Sequence, residues 1–304
     1  MKENVKNIAA SVKARLFNKA EETNRQFAEV LQYFGMERLL YRLSKSKYSD
    51  NFILKGALMF TVWQIPERRT TLDIDFLARY DNQIISIENV MKDICEVKVE
   101  QDGLVFDPGT VKGQRIKEGA DYEGVRIKLM GFLGKARIPI QIDVGFGDIT
   151  YPDPKVIDYP VILDFSQPRL KGYPAENTVS EKFNAMINLG PLNSRMKDFY
   201  DIWLIMRRYD FEGPALAAAL KKTFAQRKTE FPDKIPLFAE EIYDDNSDRQ
   251  ELWNAFVIKE EVKHTPQYLS AVAKEIEAFL AEPVEALNTG KEFNKTWKAP
   301  GPWK

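Results

Sequence analysis

Two aspartates stand two residues apart in the run Leu72-Asp73-Ile74-Asp75-Phe76-Leu77. On a strand, side chains at that spacing leave from one face. The pattern therefore predicts Asp73 and Asp75 on one side and Leu72, Ile74 and Phe76 on the other. Neighbouring carboxylates repel unless positive charge lies between them, and a divalent cation meets that need. Mg²⁺ is commonly held by one or two carboxylates together with substrate phosphates. A solvated strand face gives the same D-x-D, so the surrounding residues have to decide. Upstream, Lys55-Gly56-Ala57 precedes a predicted helix. A glycine there lets backbone N–H groups approach a phosphate, and a helix N-terminus favours an anion. Arg69 and Thr71 supply a cation and a hydroxyl beside the carboxylates. A third acid, Asp143, lies on the face opposite Ile140, Ile142 and Val144, in a polar set with Arg137 and Gln141. If that strand pairs beside 72–77, three aspartates converge on one rim. Carboxylates around two metal ions are the plan for in-line displacement at phosphorus.

A second group lies further along. Lys182 falls in SEKFNAMINL, where Phe183, Met186 and Ile187 mark the buried stripe of a helix. Arg195, Lys197, Asp198 and Asp201 open the next helix, before Ile202, Trp203 and Ile205. Arg195 with Asp198 is an i,i+3 pair and Lys197 with Asp201 an i,i+4 pair. Such pairs on a helix surface are worth about 0.2–0.5 kcal/mol each.

Composition narrows the chemistry. Among 304 residues there is one cysteine, Cys95, and one histidine, His264. No intrachain disulfide and no zinc site of several Cys and His ligands can be built. A Ser-His-Asp or Cys-His mechanism would have to run through His264, which has no helpful local motif. An enzyme with this composition runs on carboxylates, lysines and a metal ion. Lys and Arg total 44 against 45 Asp and Glu, a net charge of −1, which disfavours a uniformly basic nucleic-acid wrapper but allows a local basic patch. The charged start, MKENVKNIAASVKARLF, lacks the apolar core of a signal peptide. No run approaches the ~20 apolar residues of a membrane span, and a cytoplasmic protein is expected.

The elements that must position these residues can be read from periodicity. Residues 1–20 carry Lys2, Lys6, Lys13, Arg15 and Lys19 against one acid, Glu3, with Val5, Ile8, Val12 and Leu16 as an apolar stripe. They predict an amphipathic helix, or a basic flap that touches nucleic acid. A helix is predicted over 24–46, bent or split at Gly35. Val97, Val99, Asp102-Gly103 and Leu104–Phe106 read as a hairpin. Alternation at Val125, Ile127 and Leu129, and again at Ile138, Ile140, Ile142 and Val144, predicts two further strands. After about 165 helical patterns take over, at 176–189, 194–208, 213–225, 236–243, 249–262 and 266–281. A boundary near FSQPRLKGYP divides an expected first domain, 1–168, from a helical second, 169–304. The tail, 288–304, with Trp297 and Trp303, is polar enough to predict a surface path.

The order K-G-A, R-x-T-x-D-x-D, D-V-G-F-G-D, E-K-x-x-A and R-x-K-D-x-Y-D resembles the AbiEii family, nucleotidyltransferase toxins of type IV toxin–antitoxin systems. The matching positions are Lys55-Gly56-Ala57, Arg69, Thr71, Asp73, Asp75, Asp143 to Asp148, Glu181-Lys182 and Arg195 to Asp201. The run ERLLYRLSKSKYSDNFILKGALMF and the closing Trp297…Gly301-Pro302-Trp303 resemble it too. The resemblance implies an α+β fold, a polymerase-β-like nucleotidyltransferase mixed sheet with flanking helices, followed by a mainly helical C-terminal domain that contributes Lys182 and Asp198 to the site. It implies metal ligation by Asp73 and Asp75, with Asp143 as a third candidate, nucleotide contact by Lys182, and an essential acidic role for Asp198. Lys55, Gly56, Ala57, Arg69, Thr71 and Arg195 are the remaining nucleotide-binding candidates. One departure stands out: the wider superfamily has Gly-Ser where this chain has Gly56-Ala57, so a serine hydroxyl is missing there.

The implied reaction uses Mg²⁺ or Mn²⁺ and an NTP. A 3′-hydroxyl attacks the α-phosphorus and pyrophosphate leaves, with Asp75 or Asp143 taking the proton. The implied acceptor is RNA, tRNA first, steered by Lys112, Arg115, Lys117, Arg126, Lys128, Lys135, Arg137 and the N-terminal lysines. The implied partner is an antitoxin that acts without a stable complex, and no membrane. Three other readings fit the same residues: a kinase-like or protein-modifying transferase, a metal-dependent nuclease, and a non-catalytic nucleic-acid-binding module.

Overall fold

The computed structural model describes residues 7–65, 69–118, 122–262 and 264–304. Lys2, Glu3, Val5 and Lys6 of the expected basic flap lie outside the described residues, as does the side chain of Lys117. The chain divides into two compact units. The first comprises residues 1–62, 71–147 and 155–172, and the second 63–70, 148–154 and 173–304.

The first unit opens with α1 (Ile8–Thr23) and α2 (Phe27–Ser44). It continues with β1 (Phe52–Lys55), a 3₁₀ turn at Gly56–Leu58, α3 (Met59–Val62), β2 (Asp73–Ala78) and α4 (Ile84–Cys95). β3 (Leu104–Glu118), β4 (Tyr122–Leu133), β5 (Ala136–Phe146), β6 (Lys155–Asp158) and β7 (Arg169–Gly172) complete it. One mixed seven-stranded sheet has the order β3-β4-β5-β2-β1-β7-β6. β2 runs parallel to β5 and β1 parallel to β7, while the other pairs are antiparallel. The period-two patterns in 125–129 and 138–144 are the strands β4 and β5. Their apolar sides, Val125, Ile127, Ile140, Ile142 and Val144, are buried with Ile74 and Phe76 of β2.

Several sequence expectations change here. Gly35 does not bend α2, which is continuous from Phe27 to Ser44. A Cβ at Gly35 would lie 2.7 Å from Ile138 Cγ2, so the glycine lets the helix lie close on β5. Asp102-Gly103 is not a hairpin turn, because no strand forms over 97–101. The Asp102 carboxylate is buried instead. It accepts from Arg38 Nε (3.1 Å), from Arg42 Nη1 and Nη2 (2.8 and 3.1 Å) and from the Leu104 N–H (3.0 Å). Leu72 precedes β2 and is 64% exposed, so only Ile74 and Phe76 face the core. The helix expected after Gly56 is a 3₁₀ turn followed by the single turn of α3.

The second unit contains α5 (Ala175–Leu189), α6 (Met196–Arg208), β8 (Phe211–Glu212), α7 (Gly213–Gln226), α8 (Asp248–Lys259), α9 (Leu269–Thr289) and β9 (Thr296–Trp297). Phe183, Phe199, Leu220, Phe224, Ile276 and Phe279 form its core. Residues 236–243 hold only a 3₁₀ turn at Glu240–Ile242 where a helix was expected. The tail runs over the surface as expected, most of its residues exposed, but it inserts aromatic rings into the core. Trp297 and Trp303 are buried against Phe279 and Phe293, and their indole N–H groups donate to the Met206 and Phe279 carbonyls (2.6 and 2.7 Å). Among the described residues no helix is long and apolar enough to cross a membrane.

Candidate active site

β5 lies between β4 and β2, and the register decides which side chains meet. Asp75 is directly opposite Asp143, and Asp73 opposite Gln141. On the far side of β5, Arg126 is opposite Asp143, and on the far side of β2, Lys55 is opposite Asp75. Directly opposed residues share a face, so Lys55, Asp75, Asp143 and Arg126 form one row across four strands. Carboxylate oxygens of Asp73, Asp75 and Asp143 all lie within 4.8 Å of one another. This is the convergence that the alternating pattern made conditional on pairing.

Each carboxylate is positioned by a different device. Asp73 accepts from the Thr71 hydroxyl, and the Thr71 N–H donates to the Tyr33 hydroxyl (3.1 Å). Asp75 lies against Gly56, whose φ of +70° is a left-handed conformation that glycine adopts without strain. Asp143 is 7% exposed and takes both forks of the Arg126 guanidinium, at 2.8 Å to Oδ1 and 2.7 Å to Oδ2. That hydrogen bond, then the charges of Asp143, Asp73 and Asp75, hold the Arg126 pKa above its ordinary value. Three oxygen donors, with part of their charge already met by a guanidinium, suit a hard divalent cation such as Mg²⁺ or Mn²⁺. Ala57 is buried at the start of the 3₁₀ turn.

The second unit holds the other cluster. Lys182 of α5 extends its ammonium to Asp198 Oδ1 and Asp201 Oδ2 of α6, both at 2.8 Å. Arg69 reaches both oxygens of Asp201 (3.1 and 3.2 Å), and Arg195 Nε lies 2.8 Å from Asp198 Oδ2. Asp198 and Asp201 are one helical turn apart and both buried. Burial works against the Lys182 charge, but Asp198 and Asp201 outweigh it and raise its pKa. Burial likewise opposes the Asp201 charge, and Arg69 and Lys182 overcome it and lower that pKa.

Two participants escape the sequence reading. Asp201 is expected to pair with Lys197, but Lys197 is exposed and Asp201 joins Arg69 and Lys182. Its i,i+3 spacing from Asp198 was the available signal. Arg126 is expected to steer RNA, but it clasps Asp143, and only strand register could show that. Glu181 of the E-K pair accepts from the Tyr173 hydroxyl, and Asp148 pairs with Arg227 at 3.5 Å.

The family model for the nucleotidyl transferase AbiEii toxin of type IV toxin–antitoxin systems matches residues 38–285. Among solved structures, a candidate nucleotidyltransferase from H. pylori covers 84% of this chain and 95% of its own, at 13% identity and a TM-score of 0.43. JHP933 from Helicobacter pylori covers 84% and 94%, at 14% identity and a TM-score of 0.41. No curated protein sequence matches the chain.

Proposed function

Because the chain belongs to the AbiEii nucleotidyltransferase toxin family, we propose that it moves a nucleotide from an NTP to the 3′ end of an RNA, with tRNA as the first acceptor to test. The observation that carries this reading is the meeting of Asp73, Asp75 and Asp143 within 4.8 Å. In the proposed site these three side chains hold Mg²⁺ or Mn²⁺. When bound, the cations supply charge neutralisation at the triphosphate and the departing pyrophosphate.

The chain's own groups do the rest. Thr71 fixes the rotamer of Asp73 through its hydroxyl. Gly56 leaves the space that the Asp75 carboxylate fills. Asp143 is held by Arg126 through both oxygens, and Asp75 or Asp143 is the base for the acceptor hydroxyl. The hydroxyl proton passes to that carboxylate, Asp75 or Asp143, as the 3′-oxygen bonds to the α-phosphorus. The bond from that phosphorus to the bridging oxygen breaks, and the electron pair leaves with pyrophosphate. Lys182 contacts the nucleotide phosphates, and Asp198 with Asp201 keeps its ammonium charged and fixed. Arg69, Arg195 and Lys55 are assigned to the nucleotide. The protein is proposed to act in the cytoplasm, opposed by an antitoxin that forms no stable complex with it.

The direct experiment incubates purified protein with radiolabelled NTP, total RNA and Mg²⁺ or Mn²⁺, with and without chelator. Metal-dependent label at RNA 3′ ends is expected. Label on protein points to a protein-modifying transferase, and shortened RNA to a nuclease. No transfer to any acceptor with either metal counts against an active transferase.

A further inference from the structure

The face of the sheet that bears the three carboxylates continues beyond them across β5, β4 and β3. Side chains two apart along a strand share that face, and the registers assign them to rows. Asp73, Gln141, Lys128 and Lys112 form one row. Further along the same face, Arg137 of β5 is opposite Phe132 of β4, and Phe132 is opposite Val105 of β3. Lys112, Lys128 and Arg137 are exposed, Val105 is 66% exposed and Phe132 half-buried.

One feature of this surface is unfavourable for the protein alone. Lys112 and Lys128 are directly opposed on adjacent strands, and like charges so placed destabilise a sheet. Neither lysine, nor Arg137, has a carboxylate within ion-pair distance among the described residues. Adjacent strands are about 4.8 Å apart, which puts Lys128 two strands, roughly 10 Å, from Asp73. Between the two rows the same face carries Asp107 of β3, opposite Met130, whose Oδ1 accepts from the Gly109 N–H at 2.9 Å. Three cations against that one acid, with an aromatic ring beside the arginine, make the pattern that single-stranded nucleic acid recognises, phosphates on the cations and bases on the ring.

We propose that the open face of β3, β4 and β5 binds the single-stranded 3′ segment of the RNA acceptor, with Lys112 and Lys128 on its phosphates and Phe132 with Arg137 against its bases. This rests on the reading of the chain as an RNA-extending transferase and specifies where the acceptor lies. The track narrows the basic set of the sequence. Arg126 belongs to Asp143, whereas Lys112, Lys128 and Arg137 share the carboxylate face.

The test is binding of a fluorescein-labelled single-stranded RNA oligonucleotide to the full chain, followed by anisotropy over a salt series. For wild type, log affinity falls linearly with log salt. Lys112→Ala with Lys128→Ala flattens that slope by about 1.4, since each phosphate contact on a single strand contributes ~0.7. The thermal midpoint of this double variant is equal to or above wild type, because an opposed like-charge pair has gone. Phe132→Ala weakens binding roughly 5- to 150-fold, the loss of one base stack, and leaves the slope unchanged. Wild-type binding with the same slope and affinity in the lysine double variant overturns the track while leaving the RNA acceptor standing. Failure of wild type to bind any RNA, with label passing to protein instead, removes the acceptor reading and the track together.

Discussion

The Gly56 backbone and the Asp75 carboxylate occupy one small volume: a Cβ built on Gly56 would lie 1.9 Å from Asp75 Oδ2. The β1–β2 register, in which Lys55 is opposite Asp75, brings the turn after β1 directly over the acid. The glycine of the K-G-A motif is thus required by the neighbouring carboxylate, whatever else binds there.

Gly56→Ala is expected to displace Asp75 and to place a side chain at a φ of +70°. The backbone cost is about 1–2 kcal/mol. Misplacement of a reacting group by about 1 Å costs on the order of 10²-fold in rate. Label transfer from NTP and urea unfolding measure the two effects, and a fully active Gly56→Ala protein would refute the placement.

Arg126→Gln removes the guanidinium from Asp143. Mn²⁺ affinity, read by electron paramagnetic resonance of free Mn²⁺, is expected to rise about tenfold, or ~1.4 kcal/mol, a size a unit charge supplies near a protein surface. Weaker Mn²⁺ binding would mean that Arg126 chiefly orients Asp143 as a ligand.

Asp201→Ala leaves Lys182 with one carboxylate and Arg69 without the acid it grips. Breaking a buried charge cluster in this way costs roughly 3–5 kcal/mol, whereas Lys197→Ala on the exposed side of α6 should stay within about 0.5 kcal/mol. Asp201 has a depressed pKa, so its contribution is complete above the ordinary value of 3.8 and is lost as pH falls through the folded value. The raised Lys182 pKa gives a contribution complete below 10.5 and lost as pH rises through its folded value. Urea midpoints of wild type and Asp201→Ala across pH separate these limbs.

Glu37 behaves in the opposite sense. Burial in α2 pushes its pKa from 4.5 up to about 7, against the opposing pull of the Ile162 N–H (2.7 Å to Oε2) and of Arg38. The folded state therefore holds a proton that the unfolded chain has released, and stability declines as pH rises from about 4.5 to 7. Glu37→Gln removes this decline, so its stability relative to wild type should improve over that window by roughly 3 kcal/mol. A difference independent of pH in denaturant titrations would show that Glu37 is charged throughout.

Trp303→Ala should cost about 3–5 kcal/mol. The ring stacks on Phe279 with centroids 5.6 Å apart and planes at 4°, and is buried on its other side by Phe293 and Trp297. A loss below about 1 kcal/mol in urea unfolding would show that the tail is peripheral.

The parts of this molecule legible in its sequence are those written in local periods. β4 and β5 follow from alternation, α5, α6 and α7 from helical stripes, and the aspartate pair from its spacing on β2. β1, β6 and β7 were missed because each is only four residues long, too short for a period to register. The burial of Trp297 and Trp303 was missed because a polar stretch hides two rings that long-range contacts draw in. Asp102 was misread for a related reason: Asp-Gly chemistry favours a turn, but two arginines distant in sequence claim the carboxylate. The meeting of Asp143 with Asp75 was legible as a condition, and its fulfilment depended on a parallel register that no local pattern encodes.

That parallel register has a biological corollary. Asp75 and Asp143 come from distant parts of the polypeptide and become neighbours only when β5 slots in between β2 and β4. An incomplete or clipped product that ends before β5 has two of the acids and nothing to bring them a third. On the proposed reading, a member of this toxin family therefore acquires its metal site only once the sheet has closed.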